Sequence, residues 1–261
     1  MEEVTWNLWH GCHKISEGCK NCYVYRMDSN YEKDSSIVTK TQNFNLPVKR
    51  TRQREYKIPS GSVIYTCFTS DFFLEEADEW RVDAWKMIKE RSDCMFYIFT
   101  KRIDRFYKSL PTDWNDGYEN VTIGCTIENQ RIADYRLPLF IKAPIKHKHI
   151  ICAPLLENLE ISEYLDPSVI EFVSVGGESG ETARPCDFNW VMNIRNQCAE
   201  KGISFKFHQT GAKFIKDGKL YRILRRFQHS QAAKANIDLG KTNFIGWDKK
   251  DEQNQRIDNQ I

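Results

Sequence analysis

The sequence contains no apolar run long enough to span a membrane, and even its longer runs, such as MFYIF at 95–99, are only a few residues long. Its N-terminus, MEEVTWNLW, lacks a basic segment followed by an apolar stretch, so we expect no signal peptide. Neither sign of charge dominates, because the sequence contains 38 Lys and Arg residues and 36 Asp and Glu residues, which gives a net charge of +2. That balance alone does not indicate a polyanionic partner. We therefore expect a cytoplasmic protein with no membrane partner.

Two common phosphate-binding motifs are also missing. No GxGxxG follows the first predicted strand, and GxxxxGK[ST] occurs nowhere, which counts against the usual nucleotide-binding open sheets. Instead, β-branched and aromatic runs alternate with helical patterns. The runs predict seven strands, near 3–9, 62–68, 95–100, 120–126, 148–153, 170–175 and 203–208. The helical patterns lie at 79–91, 129–137, 156–165 and 187–201.

Strands and helices that alternate about every 30 residues are typical of βαβ units with a parallel sheet. Seven strands favour an α/β fold that is a complete or partial (β/α) barrel. We expect this barrel to form one domain over residues 1–243, followed by a polar tail at 244–261. Asp187 is a plausible N-cap of the last helix, and Gly202 is a plausible stop.

Nine cysteines, an odd number, occur without an export signal, which favours a reducing compartment over a disulfide framework. Four of them lie within or beside apolar segments and are expected to be small core residues: Cys67, Cys94, Cys125 and Cys152. No role is predicted for Cys186 or Cys198.

The other three cysteines stand close together in WHGCHKISEGCKNCYVYRM, residues 9–27, as Cys12, Cys19 and Cys22. With His10 or His13 as a fourth ligand they would make a Cys3His zinc site. Alternatively, they would hold three irons of a [4Fe–4S] cluster and leave the fourth iron open. Glycines directly before Cys12 and Cys19 would let the backbone approach a bulky cluster. Spacing alone leaves the cluster, zinc and unligated thiols open.

Polar motifs follow each of the later strands: TSDFF, TKR, TIENQ, APLLEN, GGESG and HQTG, in chain order. In a parallel barrel the carboxyl ends of all strands meet at one rim, where active sites are built. This convergence favours an enzyme over a binding module.

The segment TWNLWHGCHKISEGCKNCY, followed much later by VGGESGETARPCDFNWVMNIRNQCAEKGISFKFHQTG, resembles the phage-associated three-cysteine-motif proteins. That family is regarded as similar to radical S-adenosylmethionine (SAM) enzymes. The resemblance runs from Thr5 to Gly211 and takes in TSDFF, FTKR, GCTIENQ and APLLENL in the same order. Two features depart from the broader radical SAM pattern: six residues, not three, separate Cys12 from Cys19, and Asn21 stands where an aromatic residue is common.

The resemblance implies a radical SAM-type barrel in which the three cysteines bind a [4Fe–4S] cluster. The open iron would bind SAM, and reduction would cleave SAM to methionine and a 5′-deoxyadenosyl radical. An electron donor is then a required partner. The substrate is not named by the sequence.

Site residues also follow from the resemblance, motif by motif. Ser70 and Asp71 would contact the SAM amino group, unless Asp71 is only a helix cap. Lys101, beside Arg102, would bind the SAM carboxylate or a substrate phosphate. Glu128 and Asn129 would bind the ribose, although Asn129 also fits a helix start.

The last two motifs supply the candidate catalytic groups. Gly176 and Gly177 would allow close backbone approach to the cofactor, and Glu178 would place a carboxylate at the rim. His208 would face substrate, although a histidine at a strand end is also a common structural residue.

Three basic runs, at 48–57, 142–149 and 222–227, make a nucleic acid or nucleotide a candidate substrate. The alternative from another class is a zinc- or cluster-stapled nucleic-acid-binding protein without catalysis. A degenerate barrel that serves a partner protein is a third reading.

Overall fold

The structure, a computed structural model, describes residues 2–240. The predicted domain end at 243 and the predicted tail at 244–261 lie outside the described residues. In chain order the strands are β1 Glu3–Trp6, β2 Trp9–His10, β3 Thr39–Lys40, β4 Val63–Thr66, β5 Met95–Thr100, β6 Val121–Thr126, β7 His147–Cys152, β8 Phe172–Gly176, β9 Cys186–Asp187, β10 Ser204–Gln209, β11 Lys213–Lys216 and β12 Lys219–Arg222. The α-helices are α1 Tyr23–Ser29, α2 Asp78–Glu90, α3 Gln130–Lys142, α4 Phe188–Lys201 and α5 Gln228–Lys234.

One seven-stranded sheet dominates the fold, in the order β1-β4-β5-β6-β7-β8-β10. In this sheet the pairs β1–β4, β4–β5, β5–β6, β7–β8 and β8–β10 are parallel. Each of the seven predicted strands is therefore confirmed. Within residues 2–240 the sheet ends at β1 and β10 without closing, so the predicted (β/α) barrel is present in its partial form.

The described chain forms two compact units, each of which is held together by its own internal contacts. The first contains residues 2–15, 24–125 and 142–148, and the second contains 16–23, 126–141 and 149–240. The prediction that residues 1–243 form one domain is neither supported nor contradicted by this division.

The core of the first unit is aromatic. Strands β4 and β6 are buried along their whole length, as their β-branched and aromatic residues predict. Helix α2 buries Ala84, Trp85 and Ile88, one apolar stripe of a 3.6-residue period. The Trp85 ring meets Phe72 edge-on with centroids 4.9 Å apart, a favourable aromatic geometry.

In the second unit, the predicted signals at both ends of α4 are confirmed. The Asp187 carboxylate accepts a hydrogen bond from the Asn189 backbone N–H at 2.8 Å. The helix ends at Gly202, whose φ of +70° is the left-handed conformation that glycine adopts without strain.

The predicted helix at 156–165 is wrong. Only the short 3₁₀ turn Ser162–Tyr164 forms there. The Ile161 N–H bonds the side chain of Gln197 at 2.7 Å, and the Glu160 N–H bonds the side chain of Gln130 at 2.8 Å. Because distant side chains take these backbone donors, the i→i−4 bonds of an α-helix are not made.

Several short elements were not predicted: α1, α5, the ribbon of β2 and β3, and a three-stranded sheet in the order β12-β11-β9. None of the helices within residues 2–240 combines the length and apolar character that crossing a bilayer requires.

Candidate functional site

The nine cysteines fall into two groups by exposure. Six are buried. Four of these, Cys67, Cys94, Cys125 and Cys152, were predicted to be core residues, and the other two are Cys186 and Cys198. Burial raises the pKa of Cys186 and of Cys198 to about 12, so both remain protonated at neutral pH. Cys12, Cys19 and Cys22 are the three with partly exposed side chains. The motif therefore contains all of the thiols that reagents or metals can reach directly.

Cys12 lies in the first unit, in a segment that we call the Cys12 loop, residues 9–15. Backbone hydrogen bonds fix it: the Cys12 N–H donates to Ser35 O at 2.8 Å, and the Gly11 N–H donates to Thr69 O at 3.2 Å. Gly11 has a φ of +96°, and a Cβ there would lie 2.3 Å from the backbone oxygen of Ile37. Glycine is thus required for the close backbone contact directly before Cys12.

Both Ser70 and Asp71, predicted to contact SAM, help to hold this part of the first unit. The Ser70 hydroxyl donates to Gly11 O at 2.5 Å. The buried Asp71 carboxylate accepts from the Phe73 N–H at 3.0 Å, the Thr100 hydroxyl at 2.8 Å and the Lys101 N–H at 2.7 Å. Asp71 therefore ties the end of β4 to the end of β5.

The two histidines of the Cys12 loop are each paired with a carboxylate. His10 Nε2 lies 2.8 Å from Asp28 Oδ2, and His13 Nε2 is paired with Glu76. A zinc ion bound by either ring would have to use Nδ1. Such carboxylate support at the other nitrogen is common for zinc-bound histidines.

Cys19 and Cys22 lie in the second unit, in a segment that we call the cysteine turn, residues 16–23. The 3₁₀ turn Glu17–Cys19 places them one turn apart, with the Cys22 N–H donating to Cys19 O at 3.3 Å. Within the turn, the Gly18 N–H donates to Oε1 of Glu128 at 3.2 Å. Glu128 is fully buried, and its other oxygen accepts from Arg136 at 2.9 Å. A buried ion pair thus anchors the residue before Cys19.

Glu178 holds the other end of the cysteine turn. Its Oε2 accepts from the Asn21 side chain at 2.9 Å and from the Arg184 N–H at 2.8 Å, and its Oε1 accepts from Arg184 Nη2 at 2.6 Å. Arg184 also donates to Glu17 O at 2.8 Å. Although burial raises the pKa of Glu178, the hydrogen bonds from Arg184 and Asn21 outweigh it and the pKa is lowered. Glu178 is therefore an ionised group that positions the turn.

The remaining predicted residues of the second unit have identifiable structural roles. The Asn129 side chain accepts from the Ile132 N–H at 2.9 Å and so caps α3. At Gly177 a Cβ would lie 2.2 Å from Thr210 O, so glycine lets the loop after β8 cross the end of β10. At Gly176 a Cβ would lie 3.1 Å from the Gln209 side chain.

His208 is the next-to-last residue of β10 and lies beside a second histidine. Its ring meets that of His229 edge-on, with centroids 4.6 Å apart. Burial, followed by the charges of His229, Lys206 and Arg225, holds the pKa of His208 well below its usual value. His208 is therefore neutral at physiological pH.

Three residues that sequence reasoning missed complete the anchoring of the cysteine turn: Arg136, Arg184 and Asn21. Asn21 stands between two motif cysteines, and Arg184 lies in the ETARPCD segment of the resemblance, so both could have been singled out. Nothing in the sequence marked Arg136 as a site residue, because the apolar residues of helix α3 by themselves give the helix an amphipathic pattern. Among residues 2–240, no group of three or more Cys, His, Asp or Glu side chains is arranged to hold a metal ion.

The fold and these residues define an α/β protein with a partial parallel barrel and three accessible thiols in one sequence motif. The model of a protein family of unknown function, DUF5131, matches residues 1–254, and the chain belongs to this family. Comparison with curated proteins and with solved structures gave no match.

Proposed function

We propose that Cys12, Cys19 and Cys22 bind an iron–sulfur cluster and that the protein is a SAM-cleaving enzyme of the radical type. One observation carries the proposal: of nine cysteines, only the three in the motif have partly exposed side chains. Three accessible thiols are the donor set that a [4Fe–4S] cluster with one open iron requires. When bound, such a cluster holds SAM and, once reduced, supplies the electron that cleaves it.

In this proposal the chain's own residues first position the cysteines. Ser70 holds the backbone oxygen of Gly11, next to Cys12. Glu128 and Glu178 hold the residues beside Cys19 and Cys22. A ligand that must meet a metal within a few tenths of an ångström benefits from such rigid support.

The proposal also assigns the contacts with SAM and substrate. Ser70 and Asp71 are assigned to the amino group of SAM, and Lys101 to its carboxylate. Glu128 and Asn129 are assigned to the ribose, Gly176 and Gly177 to close approach of the backbone, and Glu178 and His208 to the substrate. The same proposal includes a relationship to radical SAM enzymes and an association with phages. It also includes a cytoplasmic location and an electron donor as the partner of the enzyme.

The experiment is anaerobic reconstitution with iron and sulfide, followed by iron analysis and quantification of methionine and 5′-deoxyadenosine released from SAM under reduction. We expect about four irons per chain, as a [4Fe–4S] cluster requires, and release of both products. Cys12→Ala/Cys19→Ala/Cys22→Ala should lose the cluster and the cleavage. Cys198→Ala, which removes a buried thiol, is the matched control and should keep both.

A structural zinc site is the second candidate, favoured by the carboxylate partners of His10 and His13. One tightly bound zinc per chain, with neither cluster nor SAM cleavage, would support it. The same result would contradict the radical SAM proposal.

A further inference from the structure

Residues 213–227, which we call the basic hairpin, form an unusual surface of the second unit. Strands β11 and β12 pair antiparallel around Asp217 and Gly218, whose φ values of +52° and +71° are typical of a tight hairpin turn. The segment contains six cations and a single carboxylate, Asp217; the cations are Lys213, Lys216, Lys219, Arg222, Arg225 and Arg226. None of the six forms an ion pair within residues 2–240.

The pairing register places like charges directly opposite each other. Lys213 faces Arg222, and Lys216 faces Lys219. Such cross-strand pairs of like charge destabilise a hairpin. A bound polyanion would relieve both repulsions.

Large apolar side chains are exposed among these cations. Leu220 is 47% exposed, Tyr221 41%, Leu224 61% and Phe227 37%. Lysines alone could be explained as protection of a free strand edge against aggregation, but exposed leucines and aromatic rings work against that purpose. The mixture of cations and rings indicates a binding surface.

The base of the hairpin is firmly held. Phe214 is buried and stacks on Phe207 at 5.7 Å, and it meets the Phe188 ring edge-on at 6.0 Å. Strand β12, in contrast, is exposed along its whole length and is an edge of its sheet within the described residues. Because the hairpin is already ordered, binding of a ligand at this edge costs little conformational entropy of the protein.

We propose that the basic hairpin binds single-stranded nucleic acid along the free edge of β12. Its cations project from both faces of the hairpin, because Lys213 and Lys216 are three residues apart on one strand. A linear polyanion along the edge reaches both faces, whereas a flat anionic bilayer touches only one. A second copy of the chain is disfavoured because its hairpin carries the same excess of positive charge.

Two cations lie directly over exposed rings: Lys219 Nζ is 5.2 Å from the centre of the Tyr221 ring, and Arg226 Cζ is 4.7 Å from that of Phe227. This arrangement offers a stacking surface for a base next to a charge for its phosphate. Single strands are bound in this way, with stacking on aromatic rings and cations along the backbone.

The basic hairpin also adjoins the cysteine turn, through the residue that precedes the hairpin. The N–H of Ala212, the residue directly before the hairpin, donates to Glu178 O at 2.8 Å, and the Glu178 carboxylate holds Asn21 in the cysteine turn. Nucleic acid on the hairpin would thus be the substrate class of the proposed enzyme, a link that rests on the proposed function. The binding itself does not.

The test is fluorescence anisotropy with metal-free protein and 5′-labelled 20-nucleotide single strands of mixed sequence, one DNA and one RNA, over a range of salt concentrations. Lys219→Gln/Arg222→Gln/Arg226→Gln should weaken binding of at least one strand at least tenfold and lower the salt slope by about 2. The matched control, Arg52→Gln/Arg54→Gln/Lys57→Gln, removes three exposed cations of another basic run and should change the affinity less than twofold.

Tyr221→Ala should weaken binding about tenfold while leaving the salt slope unchanged, because it removes stacking and no charge. The three-cysteine variant should bind as wild type, so failure of the metal centre leaves this result intact. No binding of either strand would overturn the proposal, as would an equal loss in both triple variants. Binding of phosphatidylserine vesicles without binding of either strand would also overturn it.

Discussion

The Cys12 loop and the cysteine turn present the same chemistry but are held in different ways. Backbone-to-backbone hydrogen bonds, the Ser70 hydroxyl and a glycine without room for a Cβ hold Gly11 and Cys12. The cysteine turn is fixed by two buried carboxylates, Glu128 and Glu178, from other parts of its unit. Neutral groups hold Gly11 and Cys12, whereas the cysteine turn depends on the charge of the carboxylates that hold it. This difference predicts which substitutions disturb which cysteines.

The largest effect is expected from Gly11→Ala. The new Cβ would lie 2.3 Å from the backbone oxygen of Ile37 and would require a φ of +96°, so we expect the free energy of unfolding to fall by about 3 kcal/mol or more. Urea denaturation of the metal-free protein measures it. Gly61→Ala, with a φ of +78° and open space, should cost only about 1 kcal/mol. Equal losses at both positions would contradict the tight contact at Gly11.

Glu128→Gln should be next in size. It removes the charge that pairs with Arg136 in a fully buried site, and breaking such a pair costs about 3 kcal/mol. Denaturation and the rate of Cys19 alkylation are the readouts, because loss of the anchor at Gly18 should free the turn. The control is Glu157→Gln, an exposed carboxylate that accepts from the Gln130 N–H at 2.6 Å and should cost less than about 1 kcal/mol. If Glu128→Gln raised the alkylation rate of Cys12 as much as that of Cys19, the claim that the Cys12 loop and the cysteine turn are held independently would be contradicted.

Glu178→Gln should change the pH dependence of stability. The pKa of Glu178 is lowered from its usual 4.5 in the folded state, so its ionised form stabilises the protein above about pH 4.5. That contribution is lost as the pH falls through the folded-state pKa. Wild type should therefore lose its advantage over Glu178→Gln, about 2 kcal/mol at pH 7, as the pH falls below 4.5. A difference that stays constant over this range would show that Glu178 does not hold the turn through its charge.

Most of the main sheet could be predicted from the sequence. Strands such as β4 and β6 are short runs of β-branched and aromatic residues, and burial on both faces makes such runs continuous. The basic hairpin was missed although its signal is local: KFIKDGKLYR has Asp-Gly between two strand-like runs. The helix expected at 156–165 failed because Gln130 and Gln197, distant in sequence, bond its backbone.

The candidate site was predictable only in part. Cysteine spacing singled out three residues, and the structure leaves the same three partly exposed. The groups that hold them could not be derived from local patterns. Glu178 is 157 residues from Asn21, and Glu128 is 110 residues from Gly18, so no sequence period links them. Such contacts depend on the order of strands in the sheet, which periodicity does not encode.

Alkylation of each cysteine by N-ethylmaleimide, followed by peptide mass spectrometry, tests the central claim most directly. The metal-free native protein should react at Cys12, Cys19 and Cys22 and not at the six buried cysteines. After anaerobic loading with iron and sulfide, all three should be protected together. Continued reaction of any of the three in fully loaded protein, or protection that requires one of the buried cysteines, would contradict a metal centre held by this motif.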